Sequence, residues 1–441
     1  MNILDYRDKN ILNLSSMELE KIVPRADFDM EKGIEVVRPM LRDVKEKGAE
    51  VLYEYARKFD GVEQDPELGG MGIKVETEIL KEAWENLDSD LKEALKEAEK
   101  RIRLVHHEQL PKDYETTVVS GGSVTQRYIP VARVGLYVPG GQAVYPSSVL
   151  MNVIPAQEAG VKSLVVASPA QKEYDGLPHP TILAACYMLG VDEVVAIGGA
   201  GAIAALAYGV ENVVNPVSVI TGPGNIYVAA AKQLVQGTVG IDAIAGPTEI
   251  GIIADEFANP KFVAADLIGQ AEHDKLAGSV LFTDSEKFAD DVNQAVSMQL
   301  LGTKHKDRAG VALDGKQSAI ILVNNIKECV ALANAYGAEH LEIQTKNYQE
   351  VAKKIISAGA IFMGPYSPVP LGDYIGGSNH VLPTGGSSKF SSGLSVYAFL
   401  RSVQQIEYNK EALEEIVKPL DIIANDENLP AHSAAIKIRF N

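Results

Sequence analysis

Residues 193–209, EVVAIGGAGAIAALAYG, contain a short apolar strand, a glycine turn and a small-residue helix that ends at Gly209. The same order of strand, turn and helix recurs around it, with strands in VGLYVPGG (134–141), SLVVASP (163–169) and VSVITGPG (217–224). Apolar strands that are each followed by a helix closed with glycine are typical of parallel sheets covered by helices on both faces. This stretch therefore predicts a parallel α/β fold.

A second series of apolar strands and helices follows the first. Its predicted strands are EIGIIADE (249–256), GSVLFTD (278–284), SAIILV (318–323), EHLEIQT (339–345) and AIFMG (360–364). We predict the α/β fold class, with two Rossmann-like parallel α/β domains and smaller helical N- and C-terminal segments. Ligands of such folds bind in a cleft beside the strand ends, so the site is expected between the two series.

The composition excludes several classes of function. A formal net charge of −18 disfavours a nucleic-acid surface, which needs a basic patch. Two cysteines are too few for a cysteine-based zinc cage and fit a reducing compartment. The N-terminus lacks a secretory pattern, and no apolar run reaches membrane-spanning length. We therefore expect a cytoplasmic enzyme with no nucleic-acid or membrane partner.

Four of the eight histidines lie in short segments edged by glycine or proline, each beside a carboxylate or an amide. These segments are GQAEHD (269–274), AEHLE (338–342), GGSNHVLP (376–383) and ENLPAH (427–432). Neutral imidazole is a common metal ligand and the usual proton carrier near neutral pH. A neighbouring carboxylate or amide supplies a second ligand or activates water. The four segments therefore indicate a metal site or an acid–base site.

Oxygen and nitrogen side chains in these segments are candidate metal ligands. Gln270 and His273 are three residues apart at a helix end and share one face, although such a pair is more often a surface or capping pair. Asp373 lies between glycines in LGDYIGG, where an ordinary turn aspartate is the alternative. His432 follows Glu427 by five residues, where the alternative is a solvated tail. A ligand set without thiolate suits zinc.

Glu339 and His340 adjoin the predicted strand LEIQT. Adjacent residues of a strand point to opposite faces, so both serve one site only where the backbone is irregular. They are either a solvated pair at a strand edge or a proton-accepting histidine beside a water-activating carboxylate. The spacing alone leaves both interpretations open.

Three glycine-containing turns follow strands of the first series, at 137–141, 199–204 and 222–225. Glycine at such a turn lets backbone N–H groups approach a pyrophosphate at a helix N-terminus. The turn at 199–204 lacks an acidic ribose partner after the next strand, and its small residues equally suit tight helix–sheet packing. Three turns in one series favour a nucleotide.

Together these segments resemble the histidinol dehydrogenase family over most of the chain. The residues that carry the resemblance are VGLYVPGG, GGAGAIAALAYG, TGPGNIYVAAAK, GIDAIAGPTEI, AADLIGQAEHD, YGAEHLEIQT, AGAIFMGPYSP, LGDYIGGSNHVLPTGG and ENLPAH. The resemblance implies an NAD-dependent enzyme with one Zn²⁺ per subunit. It implies oxidation of L-histidinol through L-histidinal to L-histidine, the last steps of histidine biosynthesis.

The resemblance also implies a role for each site residue. The implied zinc ligands are Gln270, His273, Asp373 and His432. His340 is implied as the base for alcohol oxidation, and Glu339 as the activator of water. The residues implied to contact the substrate are Thr248, Gln270, His273, His340, Asp373, His380, Glu427 and His432. Those implied at the NAD site are Tyr137, Gly201 and Asn225.

The resemblance further implies a domain organisation and a homodimer. Residues 1–26 are expected as an N-terminal helical segment, and 27–136 with 250–394 as the first α/β domain, which carries the metal and catalytic residues. The early helical region would then pack with the second series. Residues 137–249 are expected as the second, NAD-binding α/β domain, and 395–441 as a C-terminal dimerisation segment. Glu427 and His432 would complete the site of the partner subunit.

Two positions depart from the pattern of the family. Gly201 stands where the family commonly has glutamine in GGAQAI, so one cofactor contact is expected to differ. Thr248 stands where many members have serine, which retains the hydroxyl. The alternatives are an enzyme of this fold acting on another primary alcohol, such as a sulfonated diol, a zinc hydrolase with Glu339 as base, and a non-enzymatic nucleotide-binding module.

Overall fold

The computed structural model describes residues 1–27, 29–140 and 144–440. The described chain forms two compact units, residues 1–109 with 132–399 and residues 110–131 with 400–441. Both predicted series of strands lie in the larger unit. Gly141, which was predicted in a glycine turn, lies outside the described residues.

Fifteen strands and sixteen α-helices are numbered along the described residues. The strands are β1 (Ile3–Asp5), β2 (Lys74–Val75), β3 (Tyr114–Val119), β4 (Gly122–Pro130), β5 (Arg133–Tyr137), β6 (Ser163–Ser168), β7 (Val194–Ala196), β8 (Val219–Thr221), β9 (Gly240–Ile241), β10 (Glu249–Ala254), β11 (Gly278–Thr283), β12 (Ala319–Leu322), β13 (His340–Gln344), β14 (Ala360–Met363) and β15 (Leu400–Tyr408). The helices are α1 (Ser16–Ile22), α2 (Met30–Lys47), α3 (Ala49–Tyr55), α4 (Thr77–Asn86), α5 (Ser89–Glu108), α6 (Pro146–Glu158), α7 (Pro180–Met188), α8 (Gly199–Tyr208), α9 (Ile226–Val235), α10 (Pro260–Ala271), α11 (Glu286–Leu300), α12 (Lys306–Asp314), α13 (Ile326–Tyr336), α14 (Tyr348–Ala352), α15 (Lys410–Asp426) and α16 (Pro430–Lys437).

The first series forms a six-stranded sheet in the order β2–β7–β6–β5–β8–β9. All its strands are parallel except the short edge strand β2. The chain leaves the central strand β5 in one direction through β6 and β7, and returns to its other side at β8. This reversal is the topological switch point at which α/β sheets bind ligands, outside the carboxyl ends of the two strands.

The second series forms another six-stranded sheet in the order β1–β12–β11–β10–β13–β14, and it is parallel throughout. Every residue of β10, β11, β12 and β13 is buried. A strand that is covered on both faces needs apolar residues in continuous runs, which explains why these segments lack the alternation of a half-exposed strand. The parallel α/β fold predicted from the sequence is confirmed.

The early helices pack against the first sheet. The apolar stripe of α2 (Ile34, Val37, Leu41 and Val44) joins the core that contains α8, α9 and strands of that sheet. A Cβ atom at Gly33 of α2 would lie 3.1 Å from Ile226 in α9, so the two helices approach closely. Helices α4 and α5 likewise contact α7 and α6. The expectation that the early helical region packs with the second series is therefore wrong.

The N-terminal residues follow their predicted pattern and add a strand. Ser15 caps α1 through the predicted capping box with Glu18. Strand β1 precedes this helix and extends the second sheet by pairing with β12. Residues 1–26, expected to be helical, therefore also contribute an edge strand. Three residues are too few for their alternation to be recognised in the sequence.

The smaller unit holds an antiparallel sheet in the order β15–β4–β3, followed by α15 and α16. Strand β4 pairs along its whole length with β15, from Gly122 opposite Tyr408 to Pro130 opposite Leu400. This sheet was not predicted, because its strands alternate weakly and are largely exposed. Among the described helices, none is long and apolar enough to cross a membrane.

Candidate active site

A cavity of about 580 Å³ is lined by most of the candidate residues of the larger unit; Gln270, Tyr137 and Gly201 do not line it. One wall is the carboxyl edge of the first sheet, with Pro139 after β5 and the turn 222–225 after β8. The opposite wall is the amino edge of the second sheet, with Thr248 before β10 and the pair Glu339–His340 at β13. His273, Asp373 and His380 also line this cavity. The expected cleft between the two series is present.

Glu339 and His340 converge on one point because only His340 belongs to β13. Glu339 is the residue before the strand, so the strict alternation of strand side chains does not apply to it. The Glu339 carboxylate lies 3.6 Å from Nδ1 of His340, and both residues are at least nine-tenths buried. The interpretation as a solvated pair at a strand edge is therefore wrong.

Thr248 connects Glu339 to Gln270. The Thr248 hydroxyl donates to Oε2 of Glu339 at 2.5 Å and accepts from Nε2 of Gln270 at 2.6 Å. The same Glu339 oxygen accepts the backbone N–H of Glu249 at 3.0 Å. Burial raises the pKa of Glu339, and the positive charge of His340 and these hydrogen bonds counteract the rise. The carboxylate is thereby held in one orientation.

His340 lies between two carboxylates, with Nε2 at 3.7 Å from the Asp373 carboxylate. Burial lowers the pKa of His340, but the charges of Glu339 and Asp373 outweigh it and raise the pKa to about 9. Nδ1 faces the carbonyl oxygen of Glu249 at 3.3 Å, which can only accept, so Nδ1 carries the hydrogen. His340 becomes a proton acceptor at Nε2 only when the negative charge around it is compensated.

His380 is held in a neutral, oriented form. Its Nδ1 lies 3.0 Å from the carbonyl oxygen of Asp373, an acceptor, so Nδ1 donates there. Its Nε2 lies 3.1 Å from the hydroxyl of Ser148, which can then donate to it. Burial lowers the pKa of His380, so the ring is uncharged at neutral pH. His380 also connects α6 to the turn that carries Asp373.

Two polar atoms at this site are buried without a hydrogen-bond partner among the described residues: Oε1 of Gln270 and Nε2 of His340. Leaving such atoms unpaired is costly, so they indicate a ligand that the protein binds here. Gln270 lies in the last turn of α10, and the exposed His273, which follows that helix, lines the cavity. Asp373 lies on a short π-helical turn, Leu371–Ile375, of a kind that is frequent at functional sites.

Within the part of the chain that the structure describes, no three His, Cys, Asp or Glu side chains are arranged to hold a metal ion. The predicted zinc set includes an amide, Gln270, and one residue of the smaller unit, His432. Glu427 and His432 are exposed there, at the end of α15 and on α16. Gln270, His273 and Asp373 all belong to the larger unit.

The turn 222–225 at the switch point is fixed by a buried ion pair. Lys232 of α9 and Asp242, whose side chains are 3% and 5% exposed, form a salt bridge beneath it. Lys232 donates to the carbonyl oxygen of Gly222 at 3.0 Å, and the N–H of Gly222 donates to Asp242 at 2.8 Å. Gly222 has a φ of +120°, and a Cβ atom there would meet the carbonyl oxygen of Tyr137 at 2.0 Å.

The predicted cofactor residues have structural partners of their own. Asn225 lines the cavity and caps α9, where its Oδ1 accepts the N–H groups of Tyr227 and Val228. The buried Tyr137 accepts the N–H of Gly199 through its hydroxyl at 3.1 Å. Gly201 is buried, and a Cβ atom there would touch Leu52 and Tyr55 at 3.4 Å. These are ordinary van der Waals distances, so packing alone does not require glycine at position 201, and its place at the NAD site stays a prediction.

Sequence reasoning overlooked Lys232, Asp242 and Ser148. Lys232 is the one charged residue of the otherwise uncharged helix IYVAAAKQLV. This isolated charge was the sequence signal that could have identified it. A lone charge in a buried helix needs a buried partner of opposite sign. Asp242 and Ser148 stand in segments with no such signal, and only the tertiary structure connects them to the site.

A Rossmann-like switch-point turn that faces a buried histidine–carboxylate group places the chain in the class of α/β oxidoreductases. The family model for histidinol dehydrogenase matches residues 23–440. The chain is 51% identical to histidinol dehydrogenase of Bifidobacterium longum over all of this chain and 93% of that protein. It is 54% identical to that of Streptomyces avermitilis over 96% of this chain and 94% of that protein. The chain belongs to the histidinol dehydrogenase family.

A solved structure supports the same assignment. The crystal structure of histidinol dehydrogenase from Elizabethkingia anophelis matches with a TM-score of 0.90 at 32% identity. The match covers all of this chain and 98% of that one. The resemblance predicted from the sequence is confirmed.

We predict that Lys232→Met destabilises the protein by roughly 3–5 kcal/mol, because it leaves the Asp242 carboxylate buried without its cation. Thermal unfolding measures the loss, and hydrogen exchange of residues 222–225 measures the loosened turn. The control is Lys287→Met, because the ion pair of Lys287 with Asp291 is exposed and such pairs contribute little to stability. Unchanged exchange of the turn in Lys232→Met would contradict the role given to the ion pair.

Proposed function

We propose that the protein oxidises L-histidinol through L-histidinal to L-histidine, the last steps of histidine biosynthesis, with NAD and one Zn²⁺ per subunit. The observation that carries the proposal is the buried Glu339–His340 pair, which shares one cavity with the switch-point turn. A base and a water-activating carboxylate are what two successive oxidations of an alcohol require. The family relationship supports the same reaction.

The protein atoms present fit both zinc and NAD. Gln270, His273, Asp373 and the partner's His432 would hold zinc, and the unpartnered Oε1 of Gln270 supports this set. Glycines at the N-terminus of α9 fit a cofactor phosphate. When bound, zinc holds the imidazole and amine of the substrate and supplies positive charge beside Asp373, and NAD accepts the hydride.

His340 serves the alcohol stage. Its Nε2 is buried with no hydrogen-bond partner among the described residues and lies 3.7 Å from the Asp373 carboxylate, so it is placed to take the hydroxyl proton. Its Nδ1 hydrogen is fixed by the carbonyl of Glu249, which leaves Nε2 as the accepting atom. Oxidation of the alcohol removes a hydride from its carbon and a proton from its oxygen. A base is therefore needed in the first half-reaction.

Glu339 serves the aldehyde stage. Addition of water to the aldehyde gives a hydrate, and the carboxylate takes the proton that water loses in that attack. The hydroxyl of Thr248 and the N–H of Glu249 both donate to one oxygen of Glu339. The other oxygen is then the one that accepts the proton of water. His380 and Thr248 would bind the substrate, together with Glu427 supplied by the partner subunit.

The direct test is formation of two NADH for each L-histidinol consumed by the zinc-loaded protein. We expect this activity to disappear on removal of zinc with a chelator and to return on adding zinc. Profiling with other primary alcohols, including a sulfonated diol, distinguishes the nearest alternative. A zinc-loaded protein that leaves histidinol unchanged would overturn the proposal.

The division of labour between the two residues is tested by separate half-reactions. We predict that His340→Asn slows oxidation of histidinol by a factor of about 10² to 10⁴, because a general base is lost. Glu339→Gln is expected to slow chiefly the oxidation of histidinal. Stopped-flow measurement of NADH from each substrate gives the two rates. Equal damage to both half-reactions by Glu339→Gln would contradict the assignment.

Completion of each site by the partner subunit is tested by mixing inactive variants. His273→Ala and His432→Ala, mixed in equal amounts with subunit exchange, should recover about a quarter of native activity, because half the dimers contain one intact site. The control mixes His273→Ala with Asp373→Ala, whose lesions lie in the same unit of each chain, and should recover none. Absence of recovery in the first mixture despite exchange would refute the shared site.

A further inference from the structure

We propose that Asp266 and Glu342, two carboxyl groups bridged by the side-chain amide of Gln344, are positioning residues for the active site. The inference rests on the function proposed above. In it, these two residues align α10, β13 and the turn that leads to Asp373. Neither carboxyl group lines the main cavity, so neither is a catalytic residue.

Glu342 is placed by the alternation of β13. It follows His340 by two residues, so both side chains leave the strand on the same face, and Gln344 follows on that face. Glu342 is 1% exposed in the middle of a strand that otherwise carries apolar residues at 341 and 343. A carboxyl group at such a position requires partners for both oxygens.

The partners of Glu342 come from two other segments. Gln344 donates through Nε2 to Oε2 of Glu342 at 2.8 Å and to Oδ2 of Asp266 at 3.1 Å. The backbone N–H of Val369 donates to Oε1 of Glu342 at 3.1 Å. Burial raises the pKa of Asp266 and of Glu342.

Each partner is directly connected to a residue of the proposed site. Asp266 precedes Gln270 by four residues on α10, one helical turn, so the two side chains share a face. The carbonyl oxygen of Val369 accepts the N–H of Asp373 at 3.2 Å. The peptide units of Val369 therefore join Glu342 to Asp373 through two successive hydrogen bonds. One carboxyl pair thus sets the positions of Gln270, His340 and Asp373 relative to one another.

The test compares Glu342→Leu with Glu342→Gln. Leucine matches the apolar neighbours in the strand, but it leaves the N–H of Val369 without its acceptor and removes one of the two acceptors of the Gln344 amide. Glutamine retains an acceptor for Val369 and a donor for Asp266. We expect Glu342→Leu to weaken zinc binding roughly ten- to a hundredfold, as loss of groups that orient metal ligands typically does. Glu342→Gln is expected to restore binding to within about threefold of native.

Two properties of these variants are measured. Competition with a chromogenic chelator gives the zinc affinity, and hydrogen exchange by mass spectrometry follows residues 369–373 in the metal-free protein. Exchange should accelerate in Glu342→Leu and remain native in Glu342→Gln. The matched control is Glu328→Leu, because Glu328 is similarly buried but, among the described residues, hydrogen-bonds only to Asn324 and Asn325. That variant should lower the unfolding temperature without changing either measurement at the site.

Native exchange of 369–373 in Glu342→Leu would overturn the inference, and so would zinc affinity that falls equally in Glu328→Leu. The exchange measurement needs neither zinc nor substrate. If the native protein failed to bind zinc, the proposed function would fail, whereas accelerated exchange in Glu342→Leu alone would still support the positioning role.

Discussion

Backbone pairing between β10 and β13 brings the reactive groups together. Ile250 lies opposite His340 in this parallel register, so the residues that precede the two strands are neighbours as well. The N–H of Glu249 and the hydroxyl of Thr248 can reach Glu339 only in this register. A shift by one residue would turn His340 to the opposite face of the sheet. The apolar residues buried on both faces prevent that shift, so packing of the sheet maintains the geometry of the site.

The electrostatics of the cavity follow from the same arrangement. Two carboxyl groups, those of Glu339 and Asp373, flank the imidazole of His340 in a region largely withdrawn from water. Burial raises the pKa of Glu249 to about 7, and the ion pair with Arg25 counteracts the rise. The two carboxylates favour the positively charged form of the His340 imidazole, which supplies the compensating charge within the protein.

Much of the fold could be predicted from the sequence, because buried parallel strands require continuous apolar runs and glycine closes the helices between them. Strands β5 to β8 and β10 to β14 were all recognised in this way. The antiparallel sheet was not, because the alternation in β3 and β15 is weak and mostly polar. The packing of α2 was assigned to the wrong sheet, because an apolar stripe does not specify which surface covers it.

The candidate site was predictable in its residues but not in its contacts. His273, His340, Asp373 and His380 stand out because titratable residues between glycines are unusual. Their common cavity depends on strands far apart in sequence, and no spacing encodes that proximity. Lys232, Asp266 and Glu342 were missed because each appears as a single charge within an apolar or mixed segment. Only the partner across the fold shows why the charge is retained.

The carboxyl edge of one sheet and the amino edge of the other form opposite walls of the cavity. The turn 222–225 belongs wholly to the first sheet, while Thr248, Glu339 and His340 belong wholly to the second. Substitutions that alter one wall therefore leave the backbone of the other unchanged. Under the proposed function, descendants of such a chain could acquire a new substrate while retaining the old oxidant, or the reverse, since each preference would be inherited on its own set of strands.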